Sequence, residues 1–288
     1  MSWPNLSESV LVLDVSIYQN RYYNTDTPER GRIDFDELKK LNPEITGIIS
    51  RAAGSWSGAD PDFQHNYDKS GEAGFDQVAY VNQNPDKTWK WLLDEWKKAI
   101  GSRIPKAIVL DCESFGYPPK SPEVITSATQ DNLKAIADTW PEAHIIDYTA
   151  RWAWDSHWVH GWESDIYLWA AHWIYVVQEA GGDWRCAEHF DEITSVLPID
   201  NGFTPVMPAG YSKDKLVGWQ CSERGIIAPI TKNLGDIFAP RVDLNFFKKI
   251  FWDMVFDKPI SPPIPAPEKP IVTISYNQST VELNVIEE

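Results

Sequence analysis

Eight short runs of β-branched and aromatic residues divide this chain, and amphipathic segments separate most of them. The runs start between 22 and 51 residues apart, a spacing that favours strand–helix units over hairpins. Eight strands that alternate with helices predict an α/β protein with one closed, parallel, TIM-like barrel. A Gly- and Pro-bearing insertion, about residues 179–214, makes that barrel irregular after its sixth strand. The predicted strands are VLVLDVS (10–16), GIISRA (47–52), DQVAYVN (76–82), AIVLDCE (107–113), AHIIDYT (143–149), DIYLWAAHW (165–173), LVGWQCS (216–222) and VDLNFF (242–247).

Three of the intervening segments space their apolar residues as one face of a helix does. Each also carries a start or stop signal: Asp34 before the first, Gly101 after the second, and Ser121 and Pro122 before the third. The predicted buried faces are Phe35, Leu38 and Leu41; Trp89, Leu92, Leu93, Trp96 and Ile100; and Val124, Ala128, Leu133, Ile136 and Trp140.

The composition changes after the barrel, which we predict to span residues 1–257. Residues 258–270 are a Pro-rich linker, with six prolines in PISPPIPAPEKP, and favour an extended spacer. Residues 271–288 are predicted to form two strands around Asn277 and Gln278. Because eighteen residues cannot bury a core of their own, this tail docks on the barrel, pairs with another chain or belongs to a further domain.

Charge and hydropathy exclude several classes of function. The chain has 26 Lys and Arg against 42 Asp and Glu, a net charge of −16, which disfavours nucleic acid and anionic membranes as partners. The longest apolar run, residues 166–177, is shorter than the ~20 residues of a membrane-spanning helix. No basic residue precedes the short apolar patch at residues 10–13, so we expect no signal peptide.

Four acidic residues stand in or at the end of predicted strands. Asp111 and Glu113 share one face of the fourth strand, while Cys112 faces the other way. Two carboxylates in one cleft repel each other, which raises the pKa of one of them. Glycoside hydrolysis uses the protonated group as an acid and the other as an anion. Asp14 and Asp243 lie in otherwise apolar runs, where burying an acid is costly. We therefore predict that these four acids meet at the barrel mouth, although a DxE at a strand end can also be plain solvated surface.

Nine segments, in this order, resemble glycoside hydrolase family 25, the lysozymes that cleave the N-acetylmuramyl bond of peptidoglycan. The resemblance covers roughly residues 10–247, and departs from the family pattern in VAYVNQN (78–84), TARWAWDSHW (149–158) and the long 179–214 insertion. The segments are DVSIYQ (14–19), IDFDELKK (33–40), GIISRAAG (47–54), DFQHNYDKSGEAG (62–74), VLDCE (109–113), IIDYT (145–149), LWAAHW (168–173), GWQCSERG (218–225) and VDLNFF (242–247).

The resemblance implies a modified barrel with an acidic groove, and it implies roles for these residues. Glu113 is similar in position to the general acid, and Asp111 to the partner that orients the substrate acetamido group or steadies the cationic transition state. Asp14 and Asp243 match the remaining two acids, which tune Glu113. The substrate-facing positions are matched by Tyr80, Tyr148, Trp169 and Gln220.

Arg51 follows a predicted strand at the barrel mouth. Its position favours either an ion pair with Asp14 or contact with substrate, and we place it among the substrate-binding residues. His157 and His160 lack zinc-ligand spacing, so we expect no metal. An acid pair and water suffice for the chemistry, so no cofactor is expected.

The sequence thus predicts a lysozyme that cleaves the β-1,4 bond between N-acetylmuramic acid and N-acetylglucosamine of bacterial peptidoglycan. We favour participation of the substrate acetamido group, assisted by Asp111. The alternatives are a glycan- or wall-binding barrel without turnover, or a phage-particle component that assembles or self-associates through the 271–288 tail. The expected site of action is extracellular or in the cell wall, in a phage or prophage setting.

Overall fold

The computed structural model describes most of the chain: residues 8–20, 32–54, 58–113, 120–163, 165–178, 184–186, 188–189, 193, 205–230, 241–258, 271–276 and 279–284. Contacts divide the chain into two compact units, Met1–Lys258 and Pro259–Glu288. From residue 259 to residue 270, the predicted linker lies outside the described residues.

One sheet of the first unit closes on itself. The strands of the chain are β1 (Ser9–Val15), β2 (Ile45–Gly54), β3 (Gly58–Ala59), β4 (Asp76–Asn82), β5 (Ala107–Asp111), β6 (His144–Ala150), β7 (Tyr167–Ala171), β8 (Tyr175–Gln178), β9 (Trp184–Cys186), β10 (Leu216–Gly225), β11 (Val242–Lys248), β12 (Ile271–Tyr276) and β13 (Ser279–Asn284). Around the barrel the order is β1-β11-β10-β7-β6-β5-β4-β2, and β2 pairs with β1 again. Each of the eight predicted runs forms one of these strands, so the single, irregular TIM-like barrel is confirmed.

The last barrel strand runs against its neighbours. β11 is antiparallel to β1 and β10, whereas the other six pairings around the barrel are parallel. The prediction of a wholly parallel barrel was therefore wrong for this strand. Hydrophobic period does not encode strand direction, so the run VDLNFF could not indicate that this strand is antiparallel to its neighbours. As a result Asp243, near the start of β11, pairs with Asp14, near the end of β1.

Within the described ranges, seven helices accompany the strands: α1 (Ile17–Asn20), α2 (Phe35–Leu41), α3 (Phe63–Glu72), α4 (Trp89–Ile100), α5 (Pro122–Thr139), α6 (Arg151–His157) and α7 (Lys249–Val255). The predicted start of α2 is confirmed, because the Asp34 carboxylate accepts the Glu37 N–H at 2.9 Å. Gly101, at φ 63°, ends α4 as predicted. Three residues that we placed on buried faces are exposed because they lie in the terminal turns of their helices: Leu41 and Val124, each 50% exposed, and Trp89, 38% exposed.

Two apolar layers follow from the alternation along each strand. Val12, Val78 and Val109 belong to one cluster, together with residues of α7. Their opposite neighbours, such as Ile108 and Leu110, pack in the larger cluster that includes the helices. In β5 the period of two then carries Asp111 onto the same face as Val109. The inward-facing cluster of the barrel thus gives way to polar side chains at one end.

Two further strand pairs lie outside the barrel sheet, one after β7 and one after the linker. β8, which ends just before the predicted insertion, pairs antiparallel with β9 inside it, and much of the insertion lies outside the described residues. In the second unit, β12 and β13 form the predicted hairpin, with Ile271 opposite Asn284 and Tyr276 opposite Ser279. Among the described residues, no helix has the length and apolar character needed to cross a bilayer.

Candidate active site

A cavity of about 210 Å³ opens where the carboxyl ends of the parallel strands meet. Strand ends of this kind hold the functional residues of barrels, because loops of several strands converge there. The structure brings all nine sequence-predicted site residues into its lining: Asp14, Arg51, Tyr80, Asp111, Glu113, Tyr148, Trp169, Gln220 and Asp243. Their chemical roles stay predictions.

Asp14 and Asp243 form one acidic pair in the lining of the cavity. Gln220 donates from Nε2 to Asp14 Oδ2 at 3.4 Å and to Asp243 Oδ2 at 3.3 Å. Asn245 donates from Nδ2 to Asp14 Oδ2 at 2.9 Å. Burial raises the pKa of Asp14 and raises that of Asp243 well above its usual range, the latter also because of the Asp14 charge. The pair therefore holds a proton at pH values where free aspartates are ionised.

Gln220 is the centre of this hydrogen-bond network. Its Oε1 accepts the Tyr148 hydroxyl at 2.8 Å and the Trp173 Nε1–H at 2.9 Å. With both donors on the oxygen, the Gln220 amide can present only its NH₂ group to Asp14 and Asp243. The orientation of this side chain is thus fixed by its partners on β6 and after β7.

The second pair of acids ends β5. The Asn82 amide donates to Asp111 Oδ2, while the buried Asp111 Oδ1 has no hydrogen-bond partner among the described residues. Burial, and next the charges of Glu113 and Asp14, raise the pKa of Asp111 well above its usual range. Asn82 thus fixes one oxygen of this side chain, and the other oxygen is buried without a partner among the described residues.

Glu113 lies just beyond Asp111 and is only half-buried. Burial and the nearby Asp14 charge raise its pKa to about 7, and a side-chain hydrogen bond with Tyr148 acts in the opposite direction. A carboxyl group that titrates near neutrality can donate a proton and take one back. This property distinguishes Glu113 from the ordinary surface glutamate that the sequence left open.

Arg51 pairs with a different residue from the one we considered. Its Nε donates to Asp60 Oδ2 at 2.8 Å, so the predicted ion pair with Asp14 is replaced by one with Asp60. The Asp60 carboxylate also accepts the backbone N–H groups of Ile17 and Asp62. Asp60 lies in the turn after β3, eight residues beyond the predicted end of the strand, where no sequence period marked it.

Several residues around the cavity were missed by the sequence analysis. Asn82 and Asn245 could have been found from the strand period, since they stand two residues after Tyr80 and Asp243 respectively. Trp173 carried the same signal, since it ends the predicted run DIYLWAAHW four residues after Trp169, although β7 itself ends at Ala171. The remaining lining residues that we did not predict are Ser16, Tyr18 and Gln19.

Cys112, between the two acids, is a buried core residue. Its pKa is raised well above the usual range by burial and next by the Asp147 charge, so the thiol is a poor nucleophile. Within the described part of the chain, no group of three potential ligands is close enough to hold a metal ion.

Comparison of the fold with solved structures gives consistent matches. The chain matches a family 25 glycosyl hydrolase from Bacillus anthracis with a TM-score of 0.59 at 15% identity, over 86% of this chain and 92% of that one. It matches a lysozyme from Streptomyces coelicolor with a TM-score of 0.59 at 19% identity, over 83% and 91%. It also matches the catalytic domain of an endolysin from a Listeria monocytogenes bacteriophage, with a TM-score of 0.53 at 16% identity, over 85% and 96%.

This chain has the fold of the glycoside hydrolase family 25 lysozymes. The resemblance seen in nine sequence segments is thereby confirmed at the level of the fold. No sequence-family model matches the chain, and no curated protein matches it by sequence. The family 25 fold is thus present in a sequence that shares 15% to 19% identity with these solved structures.

Proposed function

We propose that this protein is a peptidoglycan hydrolase that cleaves the β-1,4 bond between N-acetylmuramic acid and N-acetylglucosamine, with Glu113 as general acid. The observation that carries the proposal is Glu113 itself, a carboxyl group with a pKa of about 7 in a cavity that it shares with three other acids. The family 25 fold and the lysozymes among its structural neighbours support the choice of substrate.

The first step needs a proton on the glycosidic oxygen. With its pKa near 7, a large fraction of Glu113 is protonated at neutral pH and can supply that proton. Asp14 contributes by charge, because a nearby anion disfavours ionisation of Glu113. The acid is thus kept protonated by the same group that would stabilise the positive charge developing on the sugar ring.

Asp111 is placed to orient the substrate. Its Oδ2 is held by Asn82, and its Oδ1 remains available to accept the N–H of a substrate acetamido group. An acetamido group held in this way turns its carbonyl oxygen toward the anomeric carbon, where it can act as the nucleophile. This arrangement favours participation of the substrate itself, and water then completes the hydrolysis.

The cell wall is the proposed site of action. Lysozymes and a phage endolysin are among the structural neighbours, which supports a wall-acting protein in a phage or prophage setting. Peptidoglycan is then the partner of the cavity, and self-association through the 271–288 tail remains a separate proposal, which deletion of residues 259–288 tests by its effect on oligomeric state.

The test is a digest of purified peptidoglycan, with new reducing ends identified by mass spectrometry. We expect N-acetylmuramic acid ends from the wild type and a loss of at least about 100-fold in Glu113→Gln, the scale of general acid catalysis. Glu72→Gln, the same change on the exposed face of α3, is the matched control and should retain wild-type activity.

The other outcomes separate the alternatives. New N-acetylglucosamine reducing ends would show that the protein is a peptidoglycan hydrolase that cleaves the other glycosidic bond of the glycan strand. Binding to peptidoglycan without new ends would instead support a glycan-binding barrel that has no turnover.

A further inference from the structure

A second cavity opens at the same end of the barrel. Its volume is about 520 Å³, within the ~300–1,000 Å³ of small-molecule pockets. Its described lining comes from α6, from the residues at and after the end of β7, and from residue 206, and it shares no residue with the lining of the acidic cavity. Trp173 in its wall donates to Gln220, which in turn donates to Asp14 and Asp243. One side chain therefore connects this cavity to the acids.

Arg151 is the cationic group of this cavity, and its position is fixed. Its Nε donates to Asp155 Oδ2 at 3.0 Å, and Asp155 Oδ1 accepts the Ala209 N–H at 2.7 Å. Within the described part of the chain, the two terminal amino groups of Arg151 make no hydrogen bond or ion pair, and its side chain is 58% exposed. A guanidinium that is held through Nε presents both amino groups together, which is the geometry that binds a carboxylate.

The rest of the wall is mainly apolar. Trp152 is 54% exposed, and Ala171, Trp173 and Val206 complete this part of the lining. His172 adds no positive charge at neutral pH, because burial lowers its pKa and its Nδ1 accepts the Val206 N–H at 3.1 Å. Asp155 also lines the cavity, but it pairs with Arg151 on the Nε side. The two amino groups of the guanidinium, beside aromatic and small aliphatic groups, match a ligand in which a carboxylate lies next to small apolar side chains.

We propose that this cavity binds the stem peptide that peptidoglycan carries on N-acetylmuramic acid, with Arg151 on a peptide carboxylate and Trp152 and Val206 against alanine methyl groups. The inference rests on the proposed function, since it takes the glycan strand to lie in the neighbouring acidic cavity. A sugar alone would use the aromatic face but has no carboxylate for the fixed guanidinium. Both ends of the proposed contact are built from segments, TARWAWDSHW and the 179–214 insertion, in which this sequence departs from the family pattern.

The test is a calorimetric titration of the Glu113→Gln chain, which binds without turnover. The probes are N-acetylmuramic acid bearing L-alanyl-D-glutamate and the same compound with both glutamate carboxylates amidated. We expect the free acid to bind about 10- to 100-fold more tightly than the diamide, as for one charge-assisted contact. Adding Arg151→Gln should abolish that difference, whereas Trp152→Ala should weaken both probes alike.

Arg103→Gln is the control, because Arg103 is also partly exposed but does not line this cavity. This variant should preserve the difference in affinity between the free acid and the diamide. Equal binding of the two probes, or a difference that survives Arg151→Gln, would overturn the inference. Because the titration needs no hydrolysis, its outcome can be distinguished from that of the peptidoglycan digest. If the wild type fails to cleave peptidoglycan, the proposed hydrolase function alone is overturned. If it cleaves peptidoglycan but the titration shows no preference for the free carboxylates, the proposed stem-peptide site alone is overturned.

Discussion

Asp14 and Asp243 face each other across the antiparallel pairing of β1 with β11, and the Gln220 amide donates to both carboxyl groups. Burial raises the pKa of both carboxyl groups, and the Asp14 charge raises that of Asp243 further. The Asp14 charge is also the largest electrostatic influence that raises the pKa of Glu113.

Replacing Asp14 with Asn should move the alkaline limb of the activity profile to lower pH. A general acid works only while protonated, so wild-type activity should fall as the pH rises through about 7, the pKa of Glu113. Without the Asp14 charge, the ionised form of Glu113 is less disfavoured and its pKa falls. Hydrolysis rates of peptidoglycan measured from about pH 5 to about pH 9 give the position of the limb.

Asp138→Asn, on the exposed face of α5, is the matched control and should leave the limb in place. If the alkaline limb of the pH–activity profile lies at the same pH in Asp14→Asn as in the wild type, even where the overall rate is lower, Asp14 does not raise the pKa of Glu113.

The positions of the acids could be predicted because strand period and barrel geometry act together. A residue that follows an inward-facing valine by two positions must itself face inward, as Asp14 follows Val12 and Asp111 follows Val109. Buried acids are costly, so their recurrence at strand ends indicated one shared site. For these residues the local pattern and the global fold carry the same information.

Other features could not be predicted because they depend on contacts between distant segments. The direction of β11 depends on the chain that joins it to β10, and neither propensity nor period records direction. Arg51 forms its ion pair with Asp60 rather than with Asp14 because the short β3 pairs antiparallel with β2 and places the residue that follows it beside the guanidinium. The Gln220 network likewise combines β1, β6, β10 and β11, four strands that are far apart in the sequence.

A buried acid outside the cavity should make the fold less stable as the pH rises. Asp147 is fully buried, accepts a hydrogen bond from Tyr211, and has a pKa raised to about 7, chiefly by burial. The folded chain therefore holds a proton that the unfolded chain, with an Asp pKa of ~3.9, releases. Stability contributed by this proton, roughly 4 kcal/mol for a shift of about 3 units, is complete below about pH 4 and is lost as the pH rises to about 7.

Asp147→Asn should reduce that loss, because an amide stays neutral and can still accept from Tyr211. Thermal unfolding followed by circular dichroism at about pH 5 and about pH 8 measures the effect. The acids of the cavity also have raised pKa values, so a smaller drop should remain. Equal drops in Tm for the wild type and Asp147→Asn would contradict the assignment.

The buried pair of Arg51 and Asp60 should matter more to stability than an exposed pair of the same type. Asp60→Ala leaves the buried guanidinium and two backbone N–H groups without their acceptor, which should cost about 3–5 kcal/mol. Asp68→Ala breaks the exposed pair with Arg103 and should cost less than about 1 kcal/mol. Urea unfolding of the two variants gives both free energies of unfolding, and similar losses in the two would refute the difference.

Salt should not weaken the action of this protein on cell walls. Bacterial walls are polyanionic and the chain has a net charge of −16, so long-range electrostatics oppose the encounter rather than drive it. Screening by salt then reduces a repulsion, while aromatic stacking and short hydrogen bonds in the cavity are little affected. Initial rates of peptidoglycan hydrolysis should stay level or rise between about 10 mM and about 150 mM sodium chloride. A steep fall over that range would mean that a local cationic surface, with Arg151 as the first candidate to substitute, governs binding to the wall.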